Sequence, residues 1–325
     1  MNTINKIYFS HGRVAFKYGL LDLDLDKNSE VLIPSYICDS VIQPLRQLKI
    51  RYKFYELDSY FRINFTQLGK LISKNTKAIL KVNYFGQPDQ IELFIEFCKK
   101  NSIFLIEDNS HGYGGTYKGK NLGTYGDSGF SSPRKILDKL YGGVLYTTKK
   151  NNNYEKYKLS QHQNKYFKEL IINFLEKNKK YKNLIYKILN RNIDYNDIYN
   201  YKEKEVIDYL LNKSLERKYD LHDWSNEKIR RISLWKKIKI FANKHHLDNV
   251  IDEPHSESCP WMAPFICKNL NERNEFLIWA NNKNINAFPW PSLPLEIINK
   301  QGPEIDRWNR LICFSLNNIN HNFFI

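Results

Sequence analysis

Short apolar runs alternate with stretches of helical spacing through the first half of the chain. Val31-Leu32-Ile33 is one such run, stopped by Pro34. Ala78-Ile79-Leu80-Lys81-Val82 is another, closing near Gly86. Between Gln90 and Lys100 the apolar residues Ile91, Phe94, Ile95 and Cys98 recur at the period of a helix. Ile103-Phe104-Leu105-Ile106 then reads as a buried strand leading into Glu107-Asp108, and Val144-Leu145-Tyr146 follows the pair Gly142-Gly143. A helix is expected over Val14 to Leu20. Strands separated by helical stretches predict βαβ units, hence an α/β fold with a mostly parallel central sheet flanked by helices.

From Lys149 to His246 the pattern changes to a polar, Lys- and Asn-rich stretch of mostly helical character. Apolar runs and prolines return near Pro260, as in Phe288-Pro289-Trp290-Pro291 and Leu311-Ile312-Cys313-Phe314. We therefore expect a large domain over 1–240, with 149–246 as its divergent helical segment, and a small C-terminal α+β subdomain over 241–325. With 325 residues, 42% hydrophobic and 14% aromatic, the chain can bury a sizeable core and is not compositionally disordered. Nothing approaches the ~20 consecutive apolar residues of a membrane helix, and Met1 to Ser10 lacks the basic-then-apolar pattern of a signal peptide. A cytoplasmic protein without membrane insertion is the expectation. Five widely spaced cysteines with no C-x-x-C predict reduced thiols rather than a disulfide framework or a metal site. The net charge of +15 would suit an anionic partner, but the Lys-rich segments lack the Gly-spaced aromatics of an RNA-recognition module, so no nucleic-acid partner is expected.

Candidate chemistry gathers behind one strand. Asp108 stands where Ile103–Ile106 ends, followed by His111, Ser131-Ser132-Pro133-Arg134-Lys135 and Gly142-Gly143. In open α/β sheets ligands bind beyond the carboxyl ends of strands. A carboxylate there can hold a pyridine nitrogen protonated, a lysine can form a Schiff base, and a neighbouring hydroxyl can hold a phosphate. Each piece alone has an ordinary reading: an Asp after a strand caps a turn, and a lone lysine is solvated surface.

Taken in order, the motifs from Phe9 to Thr148 resemble the DegT/DnrJ/EryC1/StrS family of sugar aminotransferases. His11-Gly12-Arg13-Val14-Ala15 resembles the family's S-G-R-x-A opening, and Val31 to Cys38 its V-L-x-P-A-Y-x-C variant. Asn83 to Pro88 is similar to the Y-G-Q-P turn, and Ile106 to His111 to I-E-D-x-A-H. Gly126-Asp127 through Ser132, Arg134-Lys135 and Gly142-Gly143 are similar to G-D…F-S-x-R-K…G-G. The resemblance implies a fold-type-I aminotransferase with pyridoxal 5′-phosphate as cofactor. It implies Lys135 as the Schiff-base lysine, Asp108 as the pyridinium partner, His111 near the ring's 3′-oxygen, and Ser132 or Ser131 as the phosphate-binding hydroxyl. Gly12 and Arg13 fall at a helix start that would meet the phosphate, and Cys38 where many members stack an aromatic ring, a role Tyr36 could take instead. The family's G-x-N-x-R-M segment has only a loose counterpart in Asn226 to Arg231.

The implied activity is transamination of a nucleotide-linked keto-sugar for surface polysaccharide or glycoconjugate synthesis. Glutamate is the implied amino donor and a homodimer the implied assembly. A pyridoxal-phosphate enzyme on a non-sugar keto substrate, and a non-catalytic binding or regulatory protein on the same scaffold, are the alternatives. Some relatives dehydrate a sugar with His in place of the lysine, which Lys135 argues against.

Overall fold

The computed structural model describes residues 3–139, 141–149, 210–211 and 213–317. The first strands and helices are β1 (Asn5–Phe9), α1 (Gly12–Asp22), β2 (Glu30–Pro34), α2 (Asp39–Gln47), β3 (Arg51–Tyr55), α3 (Phe65–Gly69) and β4 (Thr76–Val82). A single 3-10 turn, Tyr84–Gly86, leads to α4 (Ile91–Asn101), β5 (Phe104–Asn109), the hairpin β6 (Thr116–Tyr117) and β7 (Lys120–Asn121), then β8 (Ser128–Ser131). There follow α5 (Pro133–Ile136), β9 (Gly143–Thr147), α6 (Lys213–Asp220), α7 (Trp224–Lys244), β10 (Asp248–Asn249) and β11 (Met262–Ile266). The C-terminal part closes with α8 (Leu270–Asn282), β12 (Ala287–Phe288), α9 (Leu295–Ile298), α10 (Pro303–Arg310) and β13 (Leu311–Ser315).

The central sheet has seven strands in the order β1-β9-β8-β5-β4-β2-β3. The pairs β3/β2, β2/β4, β4/β5 and β5/β8 are parallel, while β9 runs against both β8 and β1. Burial on both faces explains why β2 reads as a continuous apolar run rather than an alternation: all five of its residues are buried. One face packs Val31, Ile33, Leu80 and Ile106 against Phe16 and Leu20 of α1 and Ile42 and Leu45 of α2. The other packs Leu32, Ile79 and Leu105 against Phe94 and Cys98 of α4. Each of these fully buried aliphatic side chains contributes on the order of 1.5–3 kcal/mol.

A second, antiparallel sheet has the order β10-β11-β13-β12. Leu234, Trp235, Ile238 and Ala242 of α7 and Leu277 and Ala280 of α8 pack with Met262, Phe265 and Phe314 of that sheet. The same cluster takes in Tyr36, Phe61, Tyr84 and Phe85, which lie beyond the carboxyl ends of the central strands. The small sheet is therefore mounted on the edge where the candidate chemistry lies. Most of the Lys- and Asn-rich segment expected to be helical over 149–246 falls outside the described residues; its described part from 213 holds α6 and α7. All five cysteines carry free thiols.

Candidate active site

One cavity opens at the carboxyl edge of the central sheet. Its wall includes His11, Gly12, Arg13, Cys38, Asp108, Ser110, His111, Phe130, Ser132, Arg134, Lys135 and Trp290. Asp108 reaches it from the end of β5, where Val82 pairs with it in register across β4 and faces the same cavity. Ser110 N donates to Asp108 Oδ1 at 2.8 Å, which holds the carboxylate in place. Burial raises the Asp108 pKa, opposed by that hydrogen bond and by the charge of Lys135.

Lys135 sits on α5, a single helical turn that Pro133 starts. Desolvation brings its ammonium down to about 8, with the Arg134 charge acting the same way and Asp108 opposing it. The Nζ lies 4.7 Å from the ring centre of Trp261, a cation–π contact. His111 is buried, and its Nδ1 accepts from Phe85 N at 3.3 Å, so the proton of the neutral ring belongs on Nε2. Burial and the nearby Lys135 charge hold its pKa well below the usual histidine value.

The cavity's other end is cationic. Helix α1 begins at Gly12, and its N-cap residue His11 makes no side-chain capping bond. A Cβ at Gly12 would make ordinary contacts with Ser131 O at 3.4 Å, Ser110 Oγ at 3.5 Å and Ser132 Cβ at 3.6 Å, so the helix begins beside two serines of the cavity wall. Gly143 allows that arrangement from behind, because a Cβ on it would collide with His11 O at 2.2 Å and Gly12 N at 2.5 Å. Arg13 Nη1 donates to Gln43 Oε1 at 3.2 Å, but the Nε atoms of both Arg13 and Arg134 are buried without a partner. Burial lowers the Arg134 pKa, and the neighbouring Arg13 charge lowers it further. Two adjacent cations with buried free donors, set at a helix N-terminus, make a site for a polyanion such as phosphate.

Two of the residues expected at the site lie elsewhere. Ser131 ends β8 with its side chain beside the Tyr146 phenol, while its neighbours Phe130 and Ser132 line the cavity. Alternation along the strand puts only one of two successive hydroxyls on the cavity face. Tyr36 is fully buried in the aromatic core, its hydroxyl donating to Trp290 O at 2.7 Å. It supports the cavity wall without reaching the cavity. Cys38 does line it, as the N-cap of α2, and accepts a hydrogen bond from Ser40 Oγ at 3.1 Å. Sequence reasoning missed Arg134, Ser110, Trp261 and Trp290. Arg134 carried a signal in its place directly before Lys135; the tryptophans come from the distant C-terminal part and carried none.

Fold and site together define the class: a fold-type-I pyridoxal-phosphate-dependent aminotransferase scaffold. A family model for the DegT/DnrJ/EryC1/StrS aminotransferase family matches residues 3–257, and the chain belongs to that family. GDP-perosamine synthase of Escherichia coli O157:H7 is 31% identical over 144 residues, covering 43% of this chain and 40% of that protein. GDP-4-keto-6-deoxy-D-mannose 3-dehydratase of Escherichia coli O55:H7 is 34% identical over 126 residues, covering 38% of this chain and 32% of its own length. The match thus spans less than half of these curated relatives. Among solved structures, the aminotransferase PseC of Helicobacter pylori, involved in pseudoaminic acid biosynthesis, aligns with a TM-score of 0.65 at 17% identity, over 98% of this chain and 84% of its own. 3-Amino-5-hydroxybenzoic acid synthase aligns with a TM-score of 0.65 at 15% identity, over 96% of this chain and 80% of its own. At these identities the structural likeness speaks for the fold.

The residues present fit pyridoxal 5′-phosphate. The unpartnered guanidinium nitrogens and the start of α1 at Gly12 suit its phosphate. The amine of Lys135 suits its aldehyde, and the carboxylate of Asp108 its ring nitrogen.

Proposed function

We propose that the chain is a pyridoxal-phosphate-dependent aminotransferase acting on a nucleotide-linked keto-sugar, for surface polysaccharide or glycoconjugate synthesis. The observation that carries the reading is the convergence of Lys135, Asp108 and two unpartnered arginine nitrogens on one cavity. Gly12, Arg13, Ser132 and Arg134 would hold the phosphate, and His111 would donate from Nε2 to an oxygen on the ring. The cofactor, when bound, supplies an aldehyde and a pyridine ring that accepts electrons from a substrate carbon. Asp108 holds the proton on the ring nitrogen. Lys135 takes a proton from the donor's α-carbon and returns one to the acceptor. With a pKa of about 8, roughly a tenth of its amine is neutral at pH 7, against far less for a solvated lysine.

The substrate class rests on the relatives named for GDP-linked sugars. Lysine at 135 favours amine transfer over the dehydratase reading. Glutamate as donor and a homodimeric assembly belong to the same proposal, as does a division of the chain at 240/241, a boundary that α7 crosses. The test is to reduce the cofactor-loaded protein with borohydride, map the labelled peptide, and assay amine transfer to a nucleotide-linked keto-sugar. Label on Lys135 and an aminated sugar product support the reading. Label on Lys118 or Lys139 overturns the site, and a labelled Lys135 that aminates only free, unphosphorylated keto acids overturns the substrate class.

A further inference from the structure

Lys135 is held by residues far along the chain. Asn317, just past β13, donates from Nδ2 to Lys135 O at 2.7 Å. Asn317 Oδ1 in turn accepts from Arg231 Nη2 of α7 at 2.7 Å, and the same nitrogen donates to Ile136 O. Arg231 is 1% exposed, and its other two nitrogens are also bonded: Nη1 to Pro260 O at 3.0 Å and Nε to Glu227 Oε1 at 2.6 Å. A buried guanidinium whose donors are spent on three backbone or amide oxygens and one carboxylate is a fixed joint. The joint reaches the other end of Lys135 as well. Pro260 precedes Trp261, whose ring lies 4.7 Å from Lys135 Nζ. The main chain of Trp261 is tied to His111 O at 2.8 Å and to Leu316 N at 3.1 Å. The helix that carries Lys135 is a single turn of four residues, too short to hold its own orientation.

We propose that Arg231 and Asn317 are positioning residues for Lys135, clamping the carbonyls of Lys135 and Ile136 so that the amine is held inside the cavity against Trp261. Docking of α7 and of the strand-end residue Asn317 thereby becomes a condition for a correctly placed amine. The clamp deepens the proposed function, because it rests on Lys135 being the reactive lysine.

Asn317 is the residue to change, since removing Arg231 would take the guanidinium away from Pro260 O, Ile136 O and Asn317 Oδ1 at once and threaten folding itself. Asn317→Ala removes both amide contacts. Asn317→Leu, close in size and without a polar atom, removes the same two contacts while filling the space, and serves if the alanine variant is unstable. The first readout is carbamylation of Lys135 by cyanate in cofactor-free protein, mapped by peptide against pH. The charged or titratable groups facing the amine are Arg134 on α5, Asp108 on β5, His111 after β5 and Cys38 before α2. All are unchanged in these variants. The midpoint, near pH 8 in the parent protein, should rise by about one unit as the released turn lets the amine reach water. The second readout is steady-state kinetics of the loaded enzyme, with kcat falling about tenfold and KM moving less than threefold. An unchanged midpoint and an unchanged kcat in a variant that melts like the parent would overturn the clamp. The cyanate profile needs neither cofactor nor substrate, so it stands apart from the borohydride mapping that decides whether Lys135 carries the cofactor.

Discussion

Lys135 and Asp108 are enclosed, oppositely charged and pulled in opposite directions by burial, the ammonium down and the carboxylate up. Each tempers the other, so replacing one disturbs both. Lys135→Ala should abolish turnover and leave no lysine for borohydride to label, while the phosphate contacts still retain some cofactor; equilibrium dialysis and peptide mapping check this. Asp108→Asn is nearly isosteric and should melt within a few degrees of the parent. It should lower kcat by orders of magnitude, because an amide supplies no charge to hold the ring proton. Near-normal activity in Asp108→Asn would remove the electron-sink role. A second buried lysine marks the limits of pattern reading. Lys81 is 2% exposed on the other face of β4, next to Asn83 Oδ1, while Asn83 Nδ2 donates to the buried Glu107 at 2.7 Å. Burial brings its pKa down to about 8, with the Glu107 charge opposing. Lys81→Met leaves the buried Asn83 Oδ1 without its donor and Glu107 with one nearby cation fewer, and should lower stability by about 1–3 kcal/mol, measurable by urea unfolding.

Helix α1 and strand β9 can approach each other at the cavity because Gly143 has no side chain there. Gly143→Ala places a methyl group into His11 and Gly12 backbone, atoms that cannot swing aside. The helix start must shift by ångströms, and with it the donors proposed for the phosphate. Cofactor affinity should fall by about 1–3 kcal/mol, the usual range for overpacking, or roughly fivefold to 150-fold in Kd. Titration of cofactor-free protein, followed by the visible absorption of the bound cofactor, measures it. An unaltered Kd would mean that the N-terminus of α1 does not hold the phosphate. At the scale of elements the pattern reading was accurate where apolar runs were long. The runs at Val31, Ala78, Ile103 and Val144 correspond to β2, β4, β5 and β9, and the helical spacing from Gln90 to α4. The strands β1, β3 and β8 were not singled out. Ser128-Gly129-Phe130-Ser131 has one large apolar residue, and its four buried positions are set by neighbours on both sides rather than by its own composition.

Across the whole molecule, charge is the property with the longest reach. The sequence carries 50 Lys and Arg against 35 Asp and Glu. Inside the cavity Arg13, Arg134 and Lys135 outnumber Asp108. If the basic surface draws in a nucleotide-linked sugar, that steering must weaken as the Debye length falls from ~10 Å at 0.1 M salt to ~3 Å at 1 M. The specificity constant for the nucleotide-sugar should therefore drop clearly with ionic strength, and that for a small amino donor should drop less. A salt-independent constant would assign the lysines to composition alone. The proposed homodimer is checked by light scattering at micromolar concentration with cofactor present, where a monomer would contradict it.

What the sequence determined by itself was local and ordered: the alternating strands and helices, and the carboxylate after β5 followed by Ser132, Arg134 and Lys135. These signals survive because each depends on neighbours within a few residues and on backbone geometry that repeats. Only the tertiary structure decided which serine faces the cavity, because the choice between Ser131 and Ser132 turns on the phase of one short strand. Only the tertiary structure moved Tyr36 into the core and brought Trp261, Trp290, Arg231 and Asn317 to Lys135 from more than a hundred positions away or nearly so. No periodicity records such contacts, since they are created when the small antiparallel sheet packs on the carboxyl edge of the large one and buries the aromatic residues that both supply.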